Sequence, residues 1–165
     1  MRNGGKMAPA MFLIGDGIPL MFVPASLDNE SEKDAFANMA RLLCVAHDAS
    51  VVVMALEAWM TVAKHGEKLD PTERPSEAFD RQEVVILCGE SRGSGRKQQL
   101  LPIIRSGNGK FFGFDPTTPN FEQMEGRFAE ILPPNIPSNE NRELAQLLLK
   151  VKKVKTVRLT TPRRR

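Results

Sequence analysis

Residues 50–63 read SVVVMALEAWMTVA, and they alternate between the two faces of an extended chain. One face is wholly apolar and includes Met54 and Leu56, whereas the other carries Glu57 and Trp59. A period of two with several β-branched residues is typical of a strand that buries one face. The Met, Ala, Leu and Glu residues in the middle leave a helix as the alternative. We therefore expect a long strand here, with Glu57 and Trp59 on its second face.

Four shorter stretches also predict strands, namely residues 18–23, 83–88, 99–105 and 110–114. Asn108-Gly109 lies between the last two, and an Asn-Gly pair between apolar runs is a strong hairpin signal. Consecutive strands joined by short connections predict an antiparallel meander. The sequence therefore predicts an α+β fold whose antiparallel meander sheet has about four to five strands and is covered by one helix.

Two helices are predicted from apolar residues that recur at helical spacing. The covering helix extends from about Ser31 to His47 and begins among acidic residues that suit the helix dipole. A C-terminal amphipathic helix follows Ser138, a favourable N-cap residue. Its apolar stripe consists of Leu144, Leu147, Leu148, Val151 and Val154. The expected organisation is an α+β domain over residues 1–137, this helix over 138–155 and a basic tail over 156–165.

The charge of the chain is strongly uneven. The net charge is +3, but residues 150–165 hold eight basic side chains and no acidic one, so the rest of the chain has a net charge of −5. The basic residues are Lys150, Lys152, Lys153, Lys155, Arg158, Arg163, Arg164 and Arg165. Such a cluster is attracted to nucleic acid through counterion release. The alternatives are a solvated end, an end folded back on the acidic body, and an extra strand through Val157 and Leu159.

The composition excludes several classes of protein. With 165 residues and 41% hydrophobic residues, the chain has enough apolar side chains for one core and is not wholly disordered. No apolar run approaches the roughly 20 residues of a membrane-spanning helix, so we expect no membrane contact. We also expect no signal peptide. The two cysteines suit reduced thiols in a cytoplasmic protein rather than a disulfide framework.

The glycine-rich segment 89–97 invites comparison with a phosphate-binding loop, and the comparison fails on spacing. Five residues separate Gly89 from Gly95, and Gln98 stands where a hydroxyl residue would hold magnesium. A hairpin turn is the better interpretation, although Arg92, Arg96 and Lys97 could contact a polyanion. The two cysteines and two histidines match no zinc spacing. The sequence therefore predicts neither a metal nor a cofactor.

An acidic set of Glu57, Asp80, Glu83 and Glu90 is the best candidate for catalysis, with Glu57, Asp80 and Glu83 as the proposed catalytic residues. If the strands that carry them pair, these carboxylates could hold magnesium and assist phosphodiester cleavage. The alternative is that Glu57 pairs with Arg81 or another basic residue across the sheet. Trp59 shares the face of Glu57, so it either contributes to a protein-binding surface or packs under the loop before residue 82.

Part of the chain resembles small bacterial and phage-borne proteins that have no known activity. The resemblance rests on Glu57-Ala58-Trp59, followed by Pro75-Ser76 and Asp80-Arg81-Gln82-Glu83-Val84-Val85. The shared pattern is E-x-W and then P-S-x-x-x-D-R-x-E-V-V. It implies two neighbouring strands joined by an ordered loop, with Asp80 and Arg81 pinning that loop. It implies no catalytic residue.

We therefore expect a small cytoplasmic binding or accessory protein, derived from a phage or mobile element. It would act through a protein surface around Trp59 and Arg81, or through a basic tail that contacts nucleic acid. The first alternative is a metal-dependent enzyme that acts on nucleic acid through Glu57, Asp80 and Glu83. The second alternative is a structural subunit that assembles through its last helix.

Overall fold

The structure is a computed structural model that describes residues 7–15, 18–62, 70, 72–115, 120–121 and 127–159. Its strands are β1 (Ala10–Gly15), β2 (Ile18–Phe22), β3 (Ala49–Met60), β4 (Gln82–Ser91), β5 (Gly95–Arg105), β6 (Phe111–Phe114), β7 (Asn120–Phe121) and β8 (Val157–Arg158). Its helices are α1 (Glu30–Ala46) and α2 (Asn139–Val151).

The strands form one antiparallel sheet in the order β6-β5-β4-β3-β1-β2-β8, and β7 pairs with the outer side of β5. The α+β class and the antiparallel meander from β3 to β6 are confirmed. The predicted number of four to five strands is too low, because β1, β7 and β8 also belong to the sheet. Strands β7 and β8 have only two residues each, which is too short for an apolar period to show.

Strand β3 has the face assignment that its alternation predicts. Val52, Met54 and Leu56 are buried on the face that α1 covers. Glu57 is half-buried and Trp59 is 43% exposed on the opposite face. The helical alternative for this stretch is therefore wrong, and Glu57 and Trp59 lie on the face of the sheet that the helices leave uncovered.

The sequence did not reveal β1, although its residues alternate as those of β3 do. Met11 and Leu13 are buried, whereas Phe12 and Ile14 are exposed. The strand ends at Gly15, where the register with β3 shifts. A Cβ atom at Gly15 would lie 2.0 Å from the carbonyl oxygen of His47, so only glycine fits this close approach. The bulge brings the end of β1 against the end of α1.

Helix α1 is confirmed within one residue at each end. The Asn29 side chain accepts a hydrogen bond from the Glu32 amide and caps its first turn. Phe36, Ala40 and Leu43 are buried against the sheet. These residues recur at helical spacing, so the covering layer follows directly from the sequence.

The helix layer contains α2 as well as α1, which corrects the prediction of a single covering helix. Helix α2 packs on α1 through Ala145 and Leu149, its only buried residues. The Gln146 side-chain amide donates to the carbonyl oxygen of Ala46 at 3.0 Å. Ser138 caps the first turn as predicted, because its hydroxyl accepts from the Asn141 amide.

The end of α2 turns the chain back towards the sheet. Lys153 has a left-handed φ of +52°, and the amides of Lys153 and Val154 donate to the carbonyls of Lys150 and Leu149. This bond pair is a Schellman motif, which ends a helix and satisfies its last carbonyls. Residues 157–158 then form β8 beside β2. The start of the tail is therefore the extra strand that the sequence left open as an alternative.

A segment before α2 fills the space between α1 and the hairpin of β4 and β5. Its residues Ile131 and Leu132 are buried, and their amides donate to the carboxylate of Glu90 at 3.2 and 2.8 Å. Arg41 on α1 donates to the carbonyls of Arg127, Ala129 and Glu130 in the same segment. Glu90 is the buried acidic residue of the described core, and these two amides satisfy its carboxyl oxygens with hydrogen bonds.

Candidate functional site

The uncovered face of the sheet brings two of the three predicted acidic residues together. Glu83 lies on β4 opposite Trp59 of β3, two register pairs along the strands from Glu57. Arg105 on β5 donates to both oxygens of Glu83 at 2.5 and 2.6 Å, which is a bidentate ion pair. The alternative interpretation pairs Glu57 with Arg81 or another basic residue, but the residue that pairs across the sheet is Glu83, and its partner is Arg105.

Glu57 on β3 is the other carboxylate of this cluster. Its carboxylate accepts a hydrogen bond from the Met7 amide at 2.6 Å. Burial raises the pKa of Glu57 above its usual value, and the neighbouring carboxylate of Glu83 raises it further. Because Arg105 is paired with Glu83, this site holds less negative charge than a metal site of two free carboxylates would. The geometry therefore suits a closed ion-pair cluster.

Trp59 and Arg81 form the rim of this cluster. The Arg81 guanidinium lies 5.1 Å from the centre of the Trp59 ring, which is a cation–π distance. Arg81 also donates to the carbonyl of Ser76 at 2.9 Å, so it ties the loop before β4 to β3. The loop-pinning role that the resemblance implies is thus filled by Arg81.

Asp80 is exposed in the turn before β4, apart from the pair of Glu57 and Glu83. Among the described residues, no group of three or more His, Cys, Asp or Glu side chains could hold a metal ion. A shallow cleft of about 250 Å³ opens beside the pair and is lined by Met7, Glu57, Ala58, Trp59 and Glu83. The cleft is small, and only two of the three predicted carboxylates are near it.

The glycine-rich segment is a hairpin turn between β4 and β5, as its spacing predicts. Gly95 has a φ of +74°, a conformation that glycine adopts without strain. Arg92 donates to Asp48 at 2.8 Å, Arg96 lies 3.4 Å from Glu130, and Lys97 is exposed. Two of the three basic residues considered for polyanion contact therefore already have acidic partners.

Arg92 lines a cleft of about 720 Å³ together with Arg41 and Arg96. Its Nε and Nη2 atoms are buried and have no hydrogen-bond partner in the described part of the chain. A guanidinium edge of this shape fits two oxygen atoms of a carboxylate or a phosphate. Both nitrogens are shielded from solvent, however, so this edge is closed to a ligand as the side chains stand.

The largest exposed apolar surface of a helix is the stripe of α2. Leu144, Leu147, Leu148 and Val151 are 56%, 57%, 41% and 72% exposed. We call these four residues the α2 stripe. Val154, the fifth residue of the predicted stripe, is partly buried and packs against the core. The helix thus docks on α1 with the narrow side of Ala145 and Leu149 and turns its broad apolar side outward.

The sequence missed this orientation, although one signal for it exists. The docking side contains the polar residues Arg142 and Gln146, and each has a partner near the end of α1. Arg142 lies 3.9 Å from Asp48, and Gln146 bonds to Ala46. A small alanine between two polar residues permits close helix packing, but an apolar stripe gives no sign of which side a helix docks with.

The basic residues are placed at one end of the helix layer. Lys150, Lys152, Lys153, Lys155 and Arg158 are not buried, and all except Lys153 and Lys155 lie in or directly beside a helix or strand. Arg163, Arg164 and Arg165 lie outside the described residues. The basic cluster over residues 150–165 therefore begins on the last turn of α2, and the described start of the predicted tail contains β8 at the edge of the sheet.

The two cysteines are free and buried. Burial raises the pKa of the Cys44 thiol to about 12 and that of the Cys88 thiol to about 11. A thiol with such a pKa is almost wholly protonated at neutral pH, and the thiolate is the nucleophile. These cysteines are therefore packing residues of the core.

Comparison with known proteins adds no assignment to these sites. No protein-family model, no curated protein and no solved structure matches the chain. Within the described ranges, α1 and α2 are each too short or too polar to cross a membrane. Three surfaces of the described chain are candidates for function: the cluster around Glu57 and Glu83, the α2 stripe and the basic cluster that begins at Lys150.

Proposed function

We propose that this chain is a binding or accessory protein that holds a partner protein on the α2 stripe. The observation that carries the proposal is the exposure of the four stripe residues, Leu144, Leu147, Leu148 and Val151. Fully burying a leucine side chain stabilises a protein or complex by about 1.5–3 kcal/mol. A stripe that remains exposed forgoes this stabilisation until a partner covers it.

The surroundings of the stripe support a binding surface. Ile136 is 72% exposed just before α2, and a cleft of about 450 Å³ runs between that segment and the helix. Leu144 and Leu148 line this cleft together with Leu42 of α1. Contiguous exposed apolar surface next to a groove is typical of protein-interaction sites. The reduced thiols of Cys44 and Cys88 support a cytoplasmic location in this proposal.

The enzymatic alternative has weaker support. Arg105 already neutralises Glu83, and the raised pKa of Glu57 disfavours the anionic form that a metal ion needs. Asp80, the third residue of that hypothesis, is exposed elsewhere in the turn before β4. The cluster instead ties the N-terminal segment, β3, β4 and β5 together, which is a structural role.

Contact with nucleic acid through the basic end is a second candidate function. Lys150, Lys152, Lys153, Lys155 and Arg158 reach solvent, and none of them has an ion pair among the described residues. Each phosphate contact contributes about 0.7–0.9 to the slope of log affinity against log salt. Five contacts would give a slope of roughly −4, which a salt titration on a random duplex and a single strand measures.

A tagged copy of the chain, expressed with an untagged copy in the native host, tests the main proposal. We expect a protein to be recovered in stoichiometric amount with the unmodified chain and to be lost with Leu147→Glu. The matched control is Phe112→Glu, because Phe112 is 76% exposed and lies on β6, away from α2. Equal recovery with Leu147→Glu would overturn the proposal. Recovery that nuclease treatment abolishes would favour the second candidate.

A further inference from the structure

The charges beside the α2 stripe have opposite signs at the two ends of the helix. Glu140 and Glu143 lie in its first half, whereas Lys150 and Lys152 lie at its C-terminal end and Lys155 follows shortly after. All five side chains are exposed. A second copy of α2 lying parallel would place like charges side by side. An antiparallel copy would place the acidic end of each helix beside the basic end of the other.

The stripe itself is also compatible with antiparallel packing. Its centre lies between Leu147 and Leu148, with Leu144 three residues before and Val151 three residues after. A two-fold axis through this centre sets Leu147 level with Leu148 of the second copy, and Leu144 level with Val151 of the second copy. Apolar side chains therefore meet apolar side chains along the whole stripe.

The same two-fold axis also brings side chains of opposite charge from the two copies together. Glu143 and Lys150 lie on the same flank of the stripe, each about 100° of helix rotation from its centre, so the axis brings Glu143 beside Lys150 of the second copy. The symmetry repeats this pair, so one helix crossing contains two opposite-charge pairs. Antiparallel helices also place the partial positive charge of each N-terminus beside the partial negative charge of the other C-terminus.

We propose that the partner on the α2 stripe is a second copy of this chain, packed antiparallel with Glu143 of each copy facing Lys150 of the other. This inference rests on the proposed function and names its partner. The apolar stripe provides the contact area, and the charges determine the direction of packing. Such an interface is isologous and closes as a dimer, so it does not extend into a filament.

The size of the surface indicates a reversible dimer. Helix α2 has 13 residues and is therefore about 20 Å long. Ile136 and the adjoining cleft enlarge the contact, because they lie on the same side as Leu144 and Leu148. Interfaces of about 1,000 Å² lie at the lower end of specific complexes. We therefore expect the mass of the protein in solution to depend on its concentration.

Charge reversal at the two ends tests the proposal with the full chain. Variant one is Glu143→Lys, and variant two is Lys150→Glu. Each variant alone places like charges at both pairs, whereas a dimer of one variant with the other has opposite charges at both. Sedimentation over a concentration series measures association. A matched control, Glu73→Lys, reverses one exposed charge in the loop before β4.

We expect the unmodified chain and the control to dimerise, and each variant alone to dissociate at least about tenfold more readily. Mixing the two variants should restore association. Melting curves confirm that each variant is folded. A dimer that charge reversal does not affect would overturn the antiparallel arrangement. An unmodified chain that stays monomeric would overturn the second copy as partner. The proposed function would then still stand if Leu147→Glu abolishes recovery of a different protein from the host.

Discussion

Helix α1 buries Phe36, Ala40 and Leu43 against the sheet, whereas helix α2 leaves Leu144 and Leu147 more than half exposed. Both helices have apolar residues at helical spacing and both are capped by a polar side chain. The difference lies in the docking side. Helix α1 docks with its apolar face, but α2 docks with a narrow apolar side between polar residues that bond to the end of α1. An amphipathic stripe thus identifies an apolar surface without saying that the same chain covers it.

The largest expected difference between the two helices is the reaction rate of a cysteine thiol on each of them. Cys44 on α1 is fully buried and its thiol pKa is raised to about 12, so in the folded protein it should react at least about 100-fold more slowly than an exposed thiol. The variant Leu148→Cys places a thiol on the α2 stripe. In dilute protein, a thiol-specific disulfide reagent should then show one fast phase that the unmodified chain lacks. If the introduced thiol instead reacts as slowly as Cys44, the stripe is buried.

Truncating one leucine on each helix shows how much each side chain contributes to the free energy of unfolding. Leu43→Ala should lower the free energy of unfolding by about 2–5 kcal/mol, because Leu43 is 1% exposed and its removal leaves a cavity. Leu147→Ala should change it by no more than about 0.5 kcal/mol in dilute protein, because Leu147 is 57% exposed. Urea denaturation of both variants measures the difference. Equal losses would show that the stripe belongs to the core of the monomer.

The sequence predicts the parts of this fold whose local pattern coincides with their packing. Residues 50–63 alternate because β3 buries one face, and α1 repeats because it covers that face. The missing strands have a physical explanation. Strand β1 ends at a bulge that only its register with β3 defines, and β8 is held by two register pairs with β2 that no local pattern encodes. The number of strands therefore depended on long-range pairing.

For the candidate sites, the sequence likewise predicts which strands are neighbours but not their register or the side on which a helix docks. The pairing of β3 with β4 brings Glu57 and Glu83 together, and that pairing follows from two consecutive strands. Arg105 could not be assigned, because its contact with Glu83 depends on the register between β4 and β5. The exposure of the α2 stripe depends on which side of the helix meets α1. Register and docking side are tertiary properties, and neither leaves a periodic signal in a single sequence.

Substituting Glu90 measures how much its hydrogen bonds to the segment beside α1 contribute to the free energy of unfolding. Its carboxylate is 5% exposed and accepts the amides of Ile131 and Leu132. In Glu90→Gln one of these amides would face an NH₂ group, so the free energy of unfolding should fall by about 1–3 kcal/mol. Glu130→Gln is the matched control, because Glu130 is 74% exposed and should change stability by less than about 1 kcal/mol. Equal effects in urea denaturation would contradict the structural role of Glu90.

The smallest expected effect concerns Glu57, on the face of the sheet that the helices leave uncovered. Burial, reinforced by Glu83, raises the pKa of Glu57 in the folded protein above its usual value of 4.5. The folded state therefore binds a proton more tightly than the unfolded state does. Between pH 4.5 and the raised pKa the unfolded state holds fewer protons, so stability falls as the pH rises through this window and stays lower above it. Ionisation of Glu57 therefore destabilises the folded protein.

Glu57→Gln removes this ionisation and keeps an oxygen that can accept the Met7 amide. We expect the Tm of the variant to exceed that of the unmodified chain by about 1–3 °C at about pH 7–8. At about pH 4 the two melting temperatures should coincide, because Glu57 is then protonated in the unmodified chain as well. Glu73→Gln changes an exposed carboxylate and should give the same small difference at both pH values. If Glu57→Gln instead lowers the Tm near neutral pH, the negative charge of Glu57 stabilises the cluster. The metal-dependent alternative would then regain support, because a carboxylate that is ionised in a cleft beside Glu83 has the charge that a divalent cation requires.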